Sequence, residues 1–369
     1  MTSEDLYPVS RLAAAQEATA KAGLDALLLT PGPDLRYVSG YQALPLERLT
    51  CLVVPAAGEP YMMVPRLELP AAQASPASRL GLEFVAWDET DDPYEIAARR
   101  LGSVAQVGLA DRMWAMASLA FRAAMPGTEQ VLAGTVLREL RMRKSAAEVE
   151  ALREAGEAID AVHRQVPGFL RAGRTEREVG RDIADAILAA GHETVDFVIV
   201  ASGPNGASPH HELSDRVIQA GEPVVVDIGG QLHNGYCSDS TRNYCVGEPP
   251  AEYAAYFEVL RRAQDAACEA VRPGVSCESV DAAAREVITE AGFGEKFIHR
   301  TGHGIGIETH EEPYIVAGNG ELMEPGFAFS VEPGIYLAGS HGARIEDILV
   351  CTDSGGLRLN NTPRDLVII

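Results

Sequence analysis

Apolar and polar positions alternate at recognisable periods along this chain. Residues 10–22 carry a helical spacing that Gly23 stops, and a short apolar strand follows at 26–29 before Pro31-Gly32-Pro33. Two apolar runs, 52–55 and 61–64, flank Ala56-Ala-Gly-Glu-Pro60 and predict a hairpin. Residues 82–87 and 107–109 read as further strands. Beyond Arg141-Met-Arg-Lys-Ser145 the pattern changes. Ser145 followed by Glu148 is a capping box, opening a helix to about residue 170. A second helix covers 175–190 and stops at Gly191. Strand patterns then occupy 194–201, 223–227 and 236–246. Two long helices follow at 251–271 and 276–291, with strand-like runs at 327–331 and 345–351.

These elements predict an α+β chain in two parts. The first is a small α/β domain over residues 1–140. The second, residues 145–369, places helices outside a mainly antiparallel sheet. A length of 369 residues suits two domains with a sizeable core. All nine histidines lie between 163 and 341, while both tryptophans, Trp87 and Trp114, lie before 120. Chemistry is therefore expected in the second part, and shape and assembly in the first. The net charge of −22 argues against a nucleic-acid partner and against an anionic membrane. The opening Met-Thr-Ser-Glu-Asp is acidic, unlike the basic start of a secretory signal, and no apolar run spans a bilayer. Six cysteines without CxxC spacing read as free thiols of a reducing, cytoplasmic setting.

Five residues stand out because each is ionisable or polar within an apolar or glycine-rich stretch, where such groups are costly unless compensated. They are Asp227, Asp239, His303, Glu332 and Glu346. Asp227 ends the apolar run Pro223-Val-Val-Val. Gly229-Gly230 and Asn234-Gly235 read as the turn of a hairpin whose return strand carries Asp239. A strand-end turn cap is the alternative for Asp227 alone. His303 lies among glycines, with His299 and His310 inside the same 12 residues. Glu332 follows an apolar run and precedes Pro333-Gly334, and Glu346 stands at the mouth of a strand. Arg344 shares a face with Glu346, so a structural ion pair is an alternative there. Four carboxylates and one imidazole suit hard or borderline divalent cations better than structural zinc. The His310-Glu311-Glu312-Pro313-Tyr314 stretch lacks the second histidine of a zinc-protease helix, and neither a phosphate loop nor a serine elbow is present.

The segments Val226-Asp-Ile-Gly-Gly, Gly235-Tyr-Cys-Ser-Asp-Ser-Thr-Arg, Arg300-Thr-Gly-His-Gly-Ile-Gly, Val331-Glu-Pro-Gly-Ile-Tyr and Arg344-Ile-Glu-Asp are ordered as in one family. Together they resemble the proline-specific metallopeptidases of the pita-bread fold, namely Xaa-Pro dipeptidase (prolidase) and Xaa-Pro aminopeptidase. The resemblance covers the whole chain and is nearest to short bacterial dipeptidases, actinobacterial ones among them. It implies a creatinase/prolidase-like N-terminal domain over 1–140 and a pita-bread metallopeptidase domain over 145–369. It also implies that Asp227 binds one metal, that Asp239 and Glu346 bridge two, and that His303 and Glu332 complete the other. His210 and His310 match substrate-site histidines, although a solvated loop is the plain reading of His210. His299, Tyr336 and Arg344 match positions that support the ligands or touch substrate. The sequence departs from the family in two places. Asp227 and Asp239 are 12 apart where 11 is commoner, and Asn243 replaces a threonine. A residue added within a strand rather than in the turn would send one aspartate to the wrong face.

The resemblance implies hydrolysis of the Xaa-Pro imide bond in dipeptides by two divalent cations. Manganese is the first expectation, with cobalt or zinc as substitutes. Glu332 is the expected proton shuttle and His310 the oxyanion partner, with His210 and Arg344 orienting substrate. A cytoplasmic homodimer is implied as well. The second reading is an Xaa-Pro aminopeptidase acting on longer peptides, and a methionine aminopeptidase ranks third. A creatinase-like enzyme without metal conflicts with the five filled ligand positions. A silent binding protein of the same fold would need a lost ligand, and none is lost.

Overall fold

The computed structural model describes residues 6–369. The acidic opening, residues 1–5, lies outside the described residues. The chain forms two compact units, Met1–Arg141 and Met142–Ile369.

The first unit is built on six strands: β1 (Ala26–Leu29), β2 (Cys51–Pro55), β3 (Tyr61–Pro65), β4 (Glu83–Trp87), β5 (Gln106–Leu109) and β6 (Glu129–Leu132). They form one mixed sheet in the order β4-β3-β2-β1-β5-β6. β2 and β3 pair antiparallel, as their flanking pattern predicts, whereas β1–β5, β3–β4 and β5–β6 are parallel. The Pro31-Gly32-Pro33 break opens a helix, Pro33–Ser39, because a proline at its start forfeits no helical hydrogen bond. Leu28, Cys51, Val53, Met63, Val107 and Phe121 form a closed apolar core here.

The second unit begins with α1 (Ala146–His163) and α2 (Glu176–Ala189). Both open with complete capping boxes, Ser145 with Glu148 and Thr175 with Glu178. α1 ends at His163, and a separate turn of helix, Val166–Phe169, replaces the predicted extension to 170. Pro167 accounts for the interruption, since it cannot donate to the preceding turn. Then come β7 (His192–Ser202), β8 (Pro223–Leu232) and β9 (Cys237–Cys245), followed by α3 (Ala251–Ala270) and α4 (Cys277–Glu290). The buried positions of α3 include Tyr253, Tyr256, Phe257, Leu260, Ala263, Gln264 and Ala267, a three- and four-residue rhythm that Val259 and Cys268 widen into one face on the core. The remaining strands are β10 (Gly302–Gly304), β11 (Glu311–Ile315), β12 (Ala328–Val331), β13 (Gly334–Leu337), β14 (His341–Arg344), β15 (Asp347–Thr352), β16 (Gly355–Arg358) and β17 (Val367–Ile368).

The strands make a four-stranded sheet, β17-β9-β8-β7, a five-stranded sheet, β11-β10-β12-β15-β16, and the β13–β14 pair. All pairings are antiparallel except β17 with β9. Gly229 and Gly230 are not in the turn, as their clustering suggested, but inside β8. A Cβ on Gly229 would come within 2.5 Å of the Phe197 ring and of the Ser238 carbonyl oxygen, and one on Gly230 within 2.3 Å of the Thr194 carbonyl oxygen. These glycines serve close packing, and the turn is made by residues 233–236, where Gly235 takes φ 97°.

Candidate metal centre

The ladder between β8 and β9 is unbroken. Asp239 stands opposite Gly229, two positions from Asp227, and Thr241 stands opposite Asp227. All three side chains therefore face one side of the sheet. The 12-residue spacing thus leaves both aspartates on the same face. The five-stranded sheet supplies the facing groups. His303 sits in the middle of β10, whose flanking glycines admit it between its neighbours. A Cβ on Gly302 would meet the Ser330 carbonyl oxygen at 1.8 Å, and one on Gly304 the Glu312 carbonyl oxygen at 2.2 Å. Glu332 lies between β12 and β13, its N–H donating to the Thr301 carbonyl at 2.8 Å. Glu346 lies between β14 and β15, and its Oε2 accepts from Thr241 Oγ1 at 2.7 Å.

Asp227, Asp239, His303 and Glu346 are buried. Three overlapping sets of candidate ligand atoms lie within 4.8 Å of one another: Asp227, Asp239 and Glu346; His303, Glu332 and Glu346; Asp239, His303 and His310. Glu346 belongs to the first two sets and Asp239 to the first and third, so these residues could hold two cations with shared carboxylates. The donor chemistry fits such ions. Asp227 Oδ1 is buried without a hydrogen-bond partner among the described residues, a costly arrangement unless a cation compensates it. His303 Nδ1–H donates to the Gly304 carbonyl at 3.1 Å, which leaves Nε2 as the ring atom facing Glu332 at 3.2 Å and Asp239 at 3.6 Å.

Electrostatics describe the same cluster. Burial, reinforced by the charge of Asp227, pushes Asp239 well above the usual carboxylate range. Burial and the charge of Asp239 do the same to Glu346. Glu332 behaves oppositely. Burial raises it, but the hydrogen bond and charge of His303, with His299 and Arg344, hold it down to about 2. Burial and mutual repulsion thus disfavour the charged forms of Asp239 and Glu346, whereas Glu332 is ionised at neutral pH.

Around the cluster, Arg344 is buried and occupied. It donates to Asp227 Oδ2 at 2.5 Å, Thr241 Oγ1 at 3.1 Å, Tyr336 Oη at 3.0 Å and the Pro209 carbonyl at 3.2 Å. Its guanidinium fixes Asp227, and Arg344 also lines the cleft. Tyr336 in turn donates to His299 Nε2 at 2.9 Å, and His299 Nδ1–H donates to the Arg300 carbonyl at 2.7 Å. His310 stands against His303 with ring centroids 4.0 Å apart. Desolvation, then the charges of His303 and Arg300, pull His310 down to about 4, so its imidazole is neutral at pH 7. His210 lines the same cleft and is exposed.

Sequence reasoning missed the side chains that anchor this scaffold. Glu176 is fully buried and accepts from Ser202, Asn205, His211 and Ser214, at 2.5–3.1 Å. This turns His211 inward, away from its neighbour His210. Asp281 accepts from Thr301 and pairs with Arg285, which donates to the Phe297 and His299 carbonyls. A signal existed for Asp281, a charge on the apolar stripe of α4. None existed for Glu176, which looks like an ordinary first-turn acid.

Residues 150–353 match metallopeptidase family M24, and residues 11–143 match the creatinase/prolidase N-terminal domain. An Xaa-Pro dipeptidase of Lactobacillus helveticus is 36% identical over 349 residues, 91% of this chain and 92% of that one. The crystal structure of dipeptidase PepE from Mycobacterium ulcerans is 54% identical, with TM-score 0.92 over 98% of this chain and 97% of its own. A prolidase structure from Thermococcus sibiricus is 37% identical, with TM-score 0.91 over 97% and 98%.

Proposed function

This chain belongs to metallopeptidase family M24, with a creatinase/prolidase N-terminal domain ahead of a pita-bread domain, and from that premise we propose that it is a prolidase. Members of the family use divalent metals. The observation that carries the reading is the pair of ligand sets sharing Glu346, with the unpartnered Asp227 Oδ1 inside them. Asp227, Asp239 and Glu346 would hold one cation, and His303, Glu332, Asp239 and Glu346 the other. The oxygen-rich set favours manganese over zinc. When bound, such cations polarise the scissile carbonyl and make water nucleophilic at neutral pH. Glu332 stays ionised and can accept a proton, then pass it to the leaving imino nitrogen. His310, neutral at pH 7, can donate an N–H to the developing oxyanion. His210, with no hydrogen-bond partner among the described residues, lines the cleft and would meet the residue before proline. Arg344 and Tyr336 act through Asp227 and His299 and hold them in place.

Specificity for the Xaa-Pro bond is supported by whole-length relatives that are an Xaa-Pro dipeptidase and a prolidase. A cytoplasmic homodimer completes the proposal. All six cysteines are buried and unpaired, and burial pushes Cys237 and Cys277 up to about 12, so neither is reactive. Among the described residues no helix is long and apolar enough to cross a membrane. The test is hydrolysis of Ala-Pro, Ala-Pro-Ala and Met-Ala-Ser by metal-stripped protein with Mn²⁺ restored. Mn²⁺-dependent cleavage of Ala-Pro alone is the expected result. Preference for Ala-Pro-Ala transfers the assignment to aminopeptidase, and release of methionine alone rejects both.

A further inference from the structure

His310 ends the bend of residues 306–310 and is exposed, and no hydrogen bond holds its ring among the described residues. Its neighbour Glu311 is the opposite, a buried carboxylate that opens β11. The partner of Glu311 is the ammonium of Lys144, 167 residues away in the chain. The two side chains form a close ion pair and are only 1% and 6% exposed. Neither residue lines the cleft. Glu311 pairs with Gly304 across β10 and β11, one position beyond His303. Adjacent residues of an extended chain point to opposite sides. Drawing Glu311 inward therefore turns His310 towards the cleft, where its ring centroid lies 4.0 Å from that of His303.

Lys144 is itself held on both sides. Its N–H donates to the Gly326 carbonyl at 2.9 Å. Arg143, before it, donates to both carboxylate oxygens of Glu324, at 2.6 and 2.8 Å. Ser145, after it, donates its N–H to Glu148 Oε2 at 2.9 Å, and Glu148 Oε1 accepts from Tyr236 Oη at 2.8 Å. The pair packs directly against Gly306, at the start of the bend. A Cβ on Gly306 would come within 2.5 Å of Glu311 Oε1 and 3.1 Å of Lys144 Cε. Stability does not explain such a pair. Taking two charges out of water costs about what their attraction returns, and apolar side chains of similar volume serve as well. An ion pair adds direction instead: the carboxylate must meet the ammonium at one place, whereas an apolar contact can slide.

We propose that Lys144 is a positioning residue for the reaction: by fixing Glu311 it sets the His310 ring against His303 and the cleft. The inference rests on the reading of His310 as the oxyanion partner, and it is independent of proline. Lys144 acts from behind the site, through Glu311, and has no part in the proton transfers.

The test removes both charges together, Lys144→Met with Glu311→Leu, so that no buried charge is stranded and the fold survives. This paired variant is compared with His310→Ala, and with all three substitutions combined, on Mn²⁺-restored protein with Ala-Pro and Ala-Pro-Ala. It should keep the wild-type melting temperature and the wild-type Mn²⁺ affinity by calorimetry. Its kcat should fall on the order of 10- to 100-fold with KM little changed, as for a displaced group that acts in the transition state. The combined variant should fall no further than His310→Ala, because the residues act as one unit. Glu311→Gln is the milder second variant: it keeps the shape and can still accept from Lys144, so its kcat should lie between wild type and the paired variant. One readout needs no turnover. In Co²⁺-substituted protein the shifted ring-proton signals of His310 should move in the paired variant while those of His303 stay. A paired variant with wild-type kcat and unmoved His310 signals overturns the proposal, as does a combined variant in which the losses add. A fully active His310→Ala protein rejects the oxyanion reading and any effect of Lys144 through it. An impaired His310→Ala beside an unimpaired paired variant rejects the role of Lys144 alone.

Discussion

Asp227 and Asp239 are both buried carboxylates on one sheet face, yet their surroundings make them opposites. Asp227 compensates the buried Arg344 guanidinium at 2.5 Å. Asp239 is surrounded by other acids and is pushed well above its usual range by burial and by Asp227. In metal-free protein at pH 8, Asp227→Asn should therefore destabilise the fold by about 3 kcal/mol, because it strands a buried cation. Asp239→Asn should be neutral or stabilising under the same conditions, since it removes a carboxyl whose charged form burial and Asp227 already disfavour. Urea midpoints of the two variants decide this, and equal losses would refute the contrast. Both variants should lose Mn²⁺-dependent activity. A second residue-scale prediction concerns His163, buried against Tyr244 and donating from Nε2 to the Ser240 carbonyl at 3.1 Å. Burial, then the charge of Arg242, pulls it from 6.5 to about 3. The unfolded chain takes up this proton first as pH falls. The stability it contributes is thus complete above pH 6.5 and is lost between pH 6.5 and about 3. His163→Gln should show a shallower acid loss of stability across that window, by up to one proton in the slope.

At the scale of elements, β10 explains how a three-residue strand can carry a ligand. It runs between β11 and β12 with no room for side chains at its two ends. Gly302→Ala would place a methyl 1.8 Å from the Ser330 carbonyl oxygen, so β10 must move and take His303 with it. We expect a loss of about 1–3 kcal/mol of stability and a fall in Mn²⁺ affinity of at least about tenfold. Gly320→Ala is the control, with open space around its Cβ and an unchanged melting temperature expected. A Gly302→Ala protein with wild-type metal affinity would show that β10 does not position His303. The long helices were legible because their buried stripes and capping boxes are local. β13 and β14 were not, for each is four residues long and is completed only by the other. The two glycines of β8 were misread for a related reason. Glycine marks a turn or a close approach equally well, and the neighbours that decide between them, Phe197 and Ser238, come from other strands.

At the scale of the molecule, the acidic cluster links metal, protons and stability. Asp239 and Glu346 are raised in the metal-free protein, chiefly by burial. Their contribution to metal-free stability is complete below the unfolded carboxylate range and is lost as pH rises through the raised values. The stability lost on Asp239→Asn in metal-free protein should therefore be larger near pH 5 than near pH 8. Cations bind the ionised carboxylates and so oppose the upward shift of both groups, and Mn²⁺ binding should release protons, measurable by calorimetry in buffers of different ionisation enthalpy. Mn²⁺ at 100 times its dissociation constant should add about 2.7 kcal/mol. Chelation at pH 8 should lower the melting temperature accordingly, and an unchanged value would separate the cluster from metal binding. The proposed homodimer predicts twice the chain mass in light scattering, and a fully active monomer would reject it.

Sequence alone determined the chemical identities: five ionisable groups in apolar settings, oxygen-rich and paired with glycines, in a chain whose helices follow a 3.6-residue stripe. Those properties are local, because desolvation cost and periodicity are set by near neighbours in the chain. Only the tertiary structure decided which partners these groups meet. Arg344 is taken up by Asp227, 117 residues away, His211 is drawn inward by Glu176, and Arg300 is left on Tyr314 facing the cleft. Hydrogen-bond and charge partners are settled by what packing brings within about 3 Å, and a contact between separate segments leaves no mark on the pattern of either.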